Sequence, residues 1–415
     1  MVNSGDTAFV LVSAALVFIM TPGLGFFYGG LGRRKNVVNN MMACVFILGI
    51  GMIMWVLFGY SLAFTGNSLG IIGSLKDVGL RTLDLNAASP YADNITGLSF
   101  VAFQMMFALI TPAIITGAVS GRMKFGALFL FIVFWSIIVY YPLAHMVWGS
   151  GGILGGDGLG SIDFAGGNVV HISSGVSGLV LCLVLGRREG YEHFSYRIHN
   201  VPFVVLGMAL LWFGWYGFNA GSALAANGLA AHAFMTTSLA TAGGLLSWLL
   251  IDVLRGRKPS CISACTGVVA GLVAITPGAG FVPIWASIIM GLTAGPVCYY
   301  GILFVKRTMK IDDALDAFGC HGIGGIWGGI MTGVFANPAI NDVATKGLVY
   351  GEFRQFGAQI VAILASVVVA AVGSLICIGL VKAVTPLRAP KRDELVGLDV
   401  TQHGENAYPS FNGLD

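Results

Sequence analysis

A run of forty residues without a formal charge constrains this chain more than any other feature of its sequence. From Asn36 to Leu75 there is no Asp, Glu, Lys or Arg, whereas about 20 apolar residues suffice to span a bilayer as a helix. Of all 415 residues, 10% are charged and 56% are hydrophobic, against roughly 25% charged residues in soluble domains. The chain is therefore predicted to be a polytopic membrane protein, which argues against a soluble enzyme or a nucleic-acid-binding protein.

Apolar stretches separated by polar breaks predict eleven transmembrane helices. The eighth is short because Thr276-Pro277-Gly278 is a stop signal, and the last is long enough to tilt or to protrude. The predicted spans are residues 7–31, 38–64, 97–119, 126–148, 162–186, 200–222, 229–251, 261–276, 281–305, 313–335 and 347–384.

The basic residues are distributed unevenly between the two sets of predicted loops. If the N-terminus lies outside, 18 of the 22 Lys and Arg residues fall in cytoplasmic loops and the tail. The four that remain outside are Lys76, Arg81, Lys346 and Arg354. Because cytoplasmic loops carry an excess of Lys and Arg, this distribution predicts an outside N-terminus and a cytoplasmic C-terminus.

Two Asp–His pairs with the same spacing occur in the fifth and tenth predicted spans. Asp163 precedes His171 by eight residues, and Asp313 precedes His321 by eight residues. Because the two spans are five apart, an odd number, the second unit is expected to be inserted upside down, as in inverted-repeat transporters. Eight residues of helix rise about 12 Å, close to half of a hydrocarbon core of roughly 30 Å. Both imidazoles are therefore expected near the midplane, where ionisable side chains are functional candidates by default.

The predicted fold class is an all-α polytopic membrane protein with eleven transmembrane helices, arranged as a 5+5 inverted repeat plus a long last helix. Residues 1–384 are expected to form the transmembrane transport domain, and residues 385–415 a cytoplasmic C-terminal tail. Within the transport domain, repeat one covers about 7–186, repeat two about 200–335, and the last helix about 347–384.

Two other interpretations of the paired histidines remain open from the residues alone. Each could be a core histidine whose ring bonds a backbone carbonyl, although a matched position in both repeats favours a shared site. A membrane metalloenzyme would need further ligands, and only Cys320 adjoins His321. Neighbours on a helix point about 100° apart, and the seven cysteines all lie in apolar segments, where a thiol behaves as a small hydrophobe. No metal and no cofactor is expected.

The segment Asp163-Phe-Ala-Gly-Gly-Asn-Val-Val-His171-Ile is one of a series of motifs along the chain. The others are Pro22-Gly-Leu-Gly-Phe-Phe-Tyr28-Gly-Gly, Gln104-Met-Met-Phe107-Ala-Leu-Ile-Thr-Pro112, His145-Met-Val-Trp148-Gly, Trp215-Tyr-Gly-Phe218-Asn-Ala-Gly-Ser222, Ile275-Thr276-Pro, Phe318-Gly-Cys-His321-Gly and Gly397-Leu-Asp…His403-Gly-Glu-Asn-Ala-Tyr408. In this order they resemble the ammonium transporter family (Amt/Mep/Rh), on its Amt branch. The resemblance implies a homotrimer of eleven-helix subunits with one substrate pathway in each.

The resemblance also implies a set of site residues along the path of an ammonium ion. A gate of Phe107 and Phe218 would separate the outer mouth from a narrow pore that holds His171 and His321. The expected residues of the outer mouth are Phe103, Phe107, Trp148, Ser222 and Asp163. The expected pore lining is Leu24, Phe27, Tyr28, Trp215, Thr276 and Ala317.

An apolar pore agrees with the energetics of moving ammonium. Burying a bare cation costs on the order of tens of kcal/mol, whereas removing a proton from an amine-type cation with a pKa about two units above neutral costs only about 3 kcal/mol. We therefore expect ammonium to be deprotonated and ammonia to pass, with or without net proton transfer. Asp163 is expected to cap the start of span five and to stabilise positive charge near the mouth.

Partners, location and competing functions follow from the same resemblance. The expected partners are ammonium or methylammonium as substrate, two further copies of the chain, and a PII-type signalling protein at the cytoplasmic face, with no nucleic acid. The expected location is the plasma membrane, and the protein is not expected to be an enzyme. An ammonium sensor that signals through a cytoplasmic partner is the main alternative. A gas channel of the Rh type would keep both histidines but is expected to differ at the aromatic mouth.

Overall fold

The computed structural model describes residues 1–191 and 197–408, and most of them are helical. Within these residues nine helices are long and apolar enough to cross a membrane, and two shorter helices, Cys261–Ile275 and the glycine-rich Ile323–Phe335, bring the spans to eleven. This confirms the predicted all-α architecture. The spans are α1 Ser4–Leu31, α2 Arg34–Phe64, α3 Gly97–Val119, α4 Phe125–Trp148, α5 Gly167–Leu185, α6 Val201–Ala223, α7 Gly228–Leu254, α8 Cys261–Ile275, α9 Ile284–Thr308, α10 with a π-helical turn Phe318–Gly322 followed by Ile323–Phe335, and α11 Arg354–Val384.

The two ends of the bundle differ in what covers them. At one end, called here the mouth face, the loop between α2 and α3 forms a small antiparallel hairpin of β1 (Ala88–Ser89) and β2 (Ala92–Thr96). The backbone N–H of Asn3 donates to the Asn94 carbonyl, so the N-terminus also lies at the mouth face. The tail from Thr385 packs against the opposite end, called here the tail face.

Helices α5 and α10 begin later than the predicted spans because a capped turn precedes each of them. The predicted starts are residues 162 and 313, whereas the helices start at Gly167 and Phe318. Three residues after Asp163, Gly166 has a φ of 122°, and three residues after Asp313, Asp316 has a φ of 61°. Both values lie in the left-handed region, which turns the chain sharply before the helix begins.

Both histidines of the predicted site lie on π-helical turns. His171 falls within the π-helical turn Gly167–Ile172, and His321 within Phe318–Gly322. Such turns add one residue to a helical turn, re-aim the side chains on it, and occur mostly at functional sites. Matching turns after matching caps are consistent with the predicted repeat.

The helices that carry the histidines approach each other more closely than side chains would permit. A Cβ atom built on Gly175 of α5 would lie 2.2 Å from the backbone nitrogen of Gly322 of α10. Small residues permit such approaches between transmembrane helices. This contact brings the two histidine-bearing turns together in the centre of the bundle.

A buried ionic network joins α3, α5 and α10 at the tail face. The Nε and Nη2 atoms of Arg188 donate to the two carboxylate oxygens of Asp312, at 2.8 and 2.6 Å. Arg122 Nη2 donates to the Asp312 carbonyl oxygen at 2.6 Å, and both Arg122 and Asp312 are completely buried. These residues follow α3 and α5 and precede α10, so the network fixes where the three helices end.

The tail packs against its own chain over residues 385–408. The short helix α12 (Lys391–Val396) is followed by a π-helical turn, Asp399–His403. Asp399 Oδ1 accepts a hydrogen bond from the Asn39 backbone N–H at 2.8 Å, and the Leu398 N–H donates to Asn36 Oδ1 at 2.9 Å. The tail is thereby attached to the first turns of α2. Residues 409–415 of the predicted tail lie outside the described residues.

Replacing Asp312 by Asn is expected to destabilise the fold strongly. The substitution removes the carboxylate charge that faces the buried Arg122 and Arg188, and breaking a buried ion pair typically costs about 3–5 kcal/mol. The measurement is the thermal unfolding midpoint of the purified protein in detergent. Glu352→Gln is the control, since its ion pair with Lys346 is exposed and worth at most about 1 kcal/mol. Equal midpoints for the two variants would contradict the structural role of Asp312.

The contribution of Asp312 should persist over the usual pH range. Burial alone would raise the pKa of this carboxyl, but hydrogen bonds and charge from Arg188, with the charge of Arg122, outweigh burial and lower the pKa below its ordinary value. A group whose pKa is lowered in the folded state stabilises the fold fully at pH values above its unfolded pKa of about 4. This stabilisation is lost as the pH falls from that value through the lower pKa of the folded state.

Candidate functional site

An aromatic cavity of about 160 Å³ opens at the mouth face. Seven of its ten lining residues are aromatic, and four predicted mouth residues, Phe103, Phe107, Trp148 and Ser222, are among them. The lining consists of Phe64, Tyr91, Phe100, Phe103, Gln104, Phe107, Trp148, Phe164, Ser222 and Leu224. An enclosure of this composition suits a small cation, because aromatic faces attract positive charge.

Hydrogen bonds hold the polar residues of the mouth in place. Trp148 Nε1 donates to the Asp163 carbonyl oxygen at 2.8 Å, which fixes the indole ring over the cavity. Ser222 Oγ donates to the Phe218 carbonyl oxygen at 2.8 Å, so its lone pairs stay available as acceptors. Gln104, which the sequence argument did not assign to the mouth, brings an Oε1 atom with no partner among the described residues. The sequence could have indicated this role, because Gln104 lies three residues before Phe107 and residues three apart share a helix face.

Asp163 lies behind the mouth rather than in its lining. Its carboxylate accepts backbone N–H groups from Gly166, Gly167, Asn168 and Val169, at 2.8, 2.6, 2.7 and 3.4 Å. It therefore caps α5, whose first N–H groups have no partner within the helix.

Asp313 makes the equivalent cap in α10. Its carboxylate accepts N–H groups from Ala317, Phe318 and Gly319, at 3.1, 2.9 and 3.3 Å. The two aspartates of the predicted repeat thus perform the same structural task at the starts of the two histidine-bearing helices.

The rings of Phe107 and Phe218 close the floor of the mouth. Their centroids are 4.3 Å apart, with a tilt of 32° between the planes. Phe107 lines the mouth cavity, and Phe218 lines a second cavity deeper in the bundle. The two rings therefore form the barrier between these cavities.

The deeper cavity, called here the pore cavity, is narrow and largely apolar. Its volume of about 20 Å³ admits one molecule the size of water, since about 10–15 Å³ is the minimum for one. The lining residues are Met20, Leu24, Phe27, Ile110, Ile114, Val170, His171, Leu211, Trp215, Phe218, Val269 and His321.

Both predicted histidines line the pore cavity and contact each other. His171 Nδ1 and His321 Nδ1 are 3.2 Å apart, within hydrogen-bonding distance. The His171 ring stacks on Trp215 with centroids 5.4 Å apart, and Trp215 Nε1 is held by Thr276 Oγ1 at 2.9 Å. His171 Nε2 is buried and has no partner among the described residues. An unpaired polar atom inside a protein calls for an explanation, and a ligand in the cavity supplies one.

The contact between the histidines determines what the pair offers to a ligand. If both rings are neutral, one Nδ1 carries the shared proton and the other accepts it. The ring that donates then has a lone pair on Nε2, and the ring that accepts has an N–H there. The pair therefore presents one acceptor and one donor, and it can take up a proton at one ring while it releases one from the other.

Three residues that the resemblance assigns to the pore lining lie one layer behind it. The Tyr28 hydroxyl donates to the Ile114 carbonyl at 3.0 Å, and Thr276 supports Trp215. Ala317 is buried in the cap of α10. Leu24, Phe27 and Trp215 do line the cavity.

Known proteins resemble this chain over nearly its whole length. A model of the Ammonium Transporter Family matches residues 8–408. An ammonium transporter of Bacillus subtilis is 49% identical over 405 residues, which are 97% of this chain and 98% of that protein. Mep2 of Saccharomyces cerevisiae superposes with a TM-score of 0.87 and 36% identity, covering 94% of this chain and 88% of that one. A structure described as a sensor Amt protein superposes with a TM-score of 0.85 and 28% identity, covering 96% of this chain and 98% of that one.

Replacing Asp163 by Ala is expected to lower the thermal unfolding midpoint in detergent. The loss of the cap leaves the first N–H groups of α5 unpaired, at a cost of about 1–3 kcal/mol. Asp163→Asn should cost less because one acceptor oxygen remains, and Asp313→Ala is the matched variant of the second repeat. The exposed Asp342 provides the control Asp342→Ala. If Asp163→Ala and Asp342→Ala unfold at the same temperature, the cap contributes nothing.

Proposed function

This chain belongs to the Ammonium Transporter Family, and on that basis we propose that it recruits ammonium at the aromatic mouth, deprotonates it and passes ammonia through the pore cavity. The observation that carries the proposal is the unpaired His171 Nε2 in a cavity for one small molecule, behind a closed pair of aromatic rings. A structural core histidine does not require an open position there.

The mouth is proposed to select ammonium by combining aromatic faces with hydrogen-bond acceptors. Phe103, Phe107 and Trp148 offer the faces, and each cation–π contact is worth about 0.5–2 kcal/mol. Ser222 Oγ and Gln104 Oε1 accept N–H groups, of which ammonium has four. Metal cations have no N–H groups to donate. Asp163 contributes through its negative charge and by holding α5 and Trp148, without touching the ion.

The proton is proposed to pass to the histidine pair as the substrate enters the pore cavity. A volume of about 20 Å³ excludes a hydrated cation, and burial of a bare one is far more costly than the ~3 kcal/mol of deprotonation at neutral pH. Ammonia then accepts a hydrogen bond from the Nε2–H of one imidazole, and the free Nε2 of the other is the proton acceptor. Transport with or without net proton transfer is compatible with this pair.

We extend the proposal to the arrangement in the membrane. The 18 basic residues on the tail-face side favour a cytoplasmic tail face and an outside N-terminus. The family resemblance supports a location in the plasma membrane. Residues 1–384 then form the transport domain, with repeat one at about 7–186 and repeat two at about 200–335, and residues 385–415 form the cytoplasmic tail.

The family resemblance supports a homotrimer whose tails contact neighbouring subunits and a PII-type signalling protein. Leu395, Val396 and Val400 of the tail are each about half exposed, at 48%, 52% and 54%. Three apolar side chains that face water in one short segment are typical of a surface covered in an assembly.

An ammonium sensor is the second candidate function, and the superposition on a sensor Amt protein favours it. The pore would then bind ammonium, and the tail would transmit the bound state to a partner. The hydrogen bonds between Asp399 and α2 would be the connection. Measurement of transport separates the two candidates.

Changing both His171 and His321 to Ala is expected to abolish transport. Removal of the proton acceptor should lower the rate by about 100-fold or more, as for other acid–base groups. The measurement is the current after an ammonium jump on a supported membrane, with methylammonium flux into proteoliposomes alongside. His232→Ala is the matched control, because His232 bonds the Val282 carbonyl outside the pore cavity.

The wild-type protein decides between the candidates in the same experiment. Current shows net charge movement, and flux without current shows neutral passage of ammonia. Folded wild-type protein with neither signal would overturn the transport proposal and favour the sensor.

Replacing Trp148 by Leu is expected to weaken ammonium recruitment while leaving the histidine pair intact. Loss of one cation–π contact should raise the half-saturating ammonium concentration about 2- to 30-fold. The measurement is the concentration dependence of the initial current. Trp285→Leu is the control, since Trp285 lies half exposed on the outside of α9. An unchanged half-saturating concentration for Trp148→Leu would contradict the proposed recognition.

A further inference from the structure

A third cavity, called here the exit cavity, lies on the tail-face side of the paired histidines. Its volume is about 270 Å³, and Phe27 lines both it and the pore cavity. Cys320, the residue before His321, lines it as well. Ammonia that leaves the histidines toward the cytoplasm therefore passes the Phe27 ring and arrives here.

The charges around the exit cavity are predominantly positive. Among the residues that the structure describes, four basic residues line it, namely Arg33, Arg188, Arg197 and Lys306, and Asp316 is the single carboxylate. Amine-type bases take up a proton at neutral pH, so ammonia becomes a cation once it meets cytoplasmic water. In a cavity of this charge, Asp316 is the group that attracts the newly formed ammonium.

Asp316 occupies a position where the fold does not need a side chain. The equivalent residue of the first repeat is Gly166, three residues after the capping Asp163, and both residues have positive φ. Glycine adopts that conformation without cost, whereas aspartate does so less readily. The cap of α10 comes from Asp313, so it does not use the carboxylate of Asp316. The structural requirements of the turn therefore leave this carboxylate unexplained.

The group that contacts Asp316 has the chemistry of the substrate. Lys306 Nζ lies 2.5 Å from Asp316 Oδ1, and both side chains are 29% exposed. The end of the lysine side chain is a primary alkylammonium with three N–H donors, the same class of cation as methylammonium. Lys306 comes from the last turn of α9, so it reaches the carboxylate from outside α10.

We infer that Asp316 carries a second ammonium site at the cytoplasmic end of the pore, and that Lys306 occupies this site as a tethered ligand which ammonium displaces. This inference rests on the proposed transport function. Ammonia takes a proton from the cytoplasmic solvent, its lone pair forms the new N–H bond, and the resulting ammonium is the species that Asp316 binds. Lys306 then competes for the carboxylate and releases the ion.

The competition has opposite consequences for the two partners of the ion pair. Without Lys306, ammonium stays longer on Asp316, and cytoplasmic ammonium should inhibit uptake at lower concentrations. Without the Asp316 carboxylate, cytoplasmic ammonium has no site and should inhibit less. A purely structural ion pair would respond in the same direction to the loss of either partner.

The experiment measures uptake of labelled methylammonium into proteoliposomes whose cytoplasmic face points inward, at increasing internal ammonium. Lys306→Met should lower the half-inhibitory internal concentration about two- to fivefold, the range expected from partly exposed ion pairs. Asp316→Gly, which restores the residue of the first repeat and should fold well, is expected to raise it by a similar factor. Lys310→Met is the matched control, since it removes a charge just after the end of α9 and outside the exit cavity.

The outcomes separate this inference from the proposed function. Wild-type vesicles without any uptake would contradict the transport proposal itself. Normal wild-type uptake with shifts in the same direction for Lys306→Met and Asp316→Gly, or with no shift in either, would overturn the second site alone. If Lys306→Met does not fold, Lys306→Gln replaces it in the experiment. The double variant Lys306→Met with Asp316→Gly should behave like Asp316→Gly alone.

Discussion

The satisfaction of backbone polar groups inside the bilayer is the constraint on which the rest of this structure depends. A helix that begins within the hydrocarbon exposes N–H groups that no water can reach. Asp163 and Asp313 supply the missing acceptors at the starts of α5 and α10. Because these caps permit helices to start below the surface, the next turn of each can carry a histidine to the middle of the bundle. The geometry of the pore thus follows from two carboxylates that do not line it.

The same constraint accounts for how little polarity the pore retains. Each polar atom in hydrocarbon needs a partner or a function, and His171 and His321 partner each other through Nδ1. This leaves the Nε2 positions for the proposed substrate, in a cavity otherwise lined by apolar and aromatic side chains apart from the indole N–H of Trp215. A hydrated ion gains nothing from such a lining, whereas a neutral molecule with one lone pair and a few N–H groups matches it. The selectivity proposed here is therefore a property of the small number of polar atoms and of their placement.

The spans and the histidine pair could be predicted from the sequence because both depend on patterns that hydrocarbon enforces. Long uncharged runs mark helices, and an Asp–His spacing that recurs five spans later marks two equivalent positions. The rotation of each helix about its own axis could not be predicted from such patterns. Helix α1 is apolar on all sides, so no polar stripe indicated that Tyr28 turns toward the Ile114 carbonyl instead of the pore. The network around Asp312 depends on residues from three distant segments, and no local pattern joins them.

The two ends of the pathway differ although the repeats that build it correspond. Gly166 and Asp316 are equivalent positions. Gly166 has no side chain, and the mouth cavity is lined mainly by aromatic rings. Asp316 adds a carboxylate to the exit cavity. An aromatic mouth binds a cation weakly without a counter-charge, which suits capture from dilute solution followed by deprotonation. An exit with a carboxylate and a competing lysine suits the reverse step, in which a cation forms and must leave. The symmetry of the fold therefore sets the positions, and single substitutions within it give each end the chemistry that the proposed direction of transport requires.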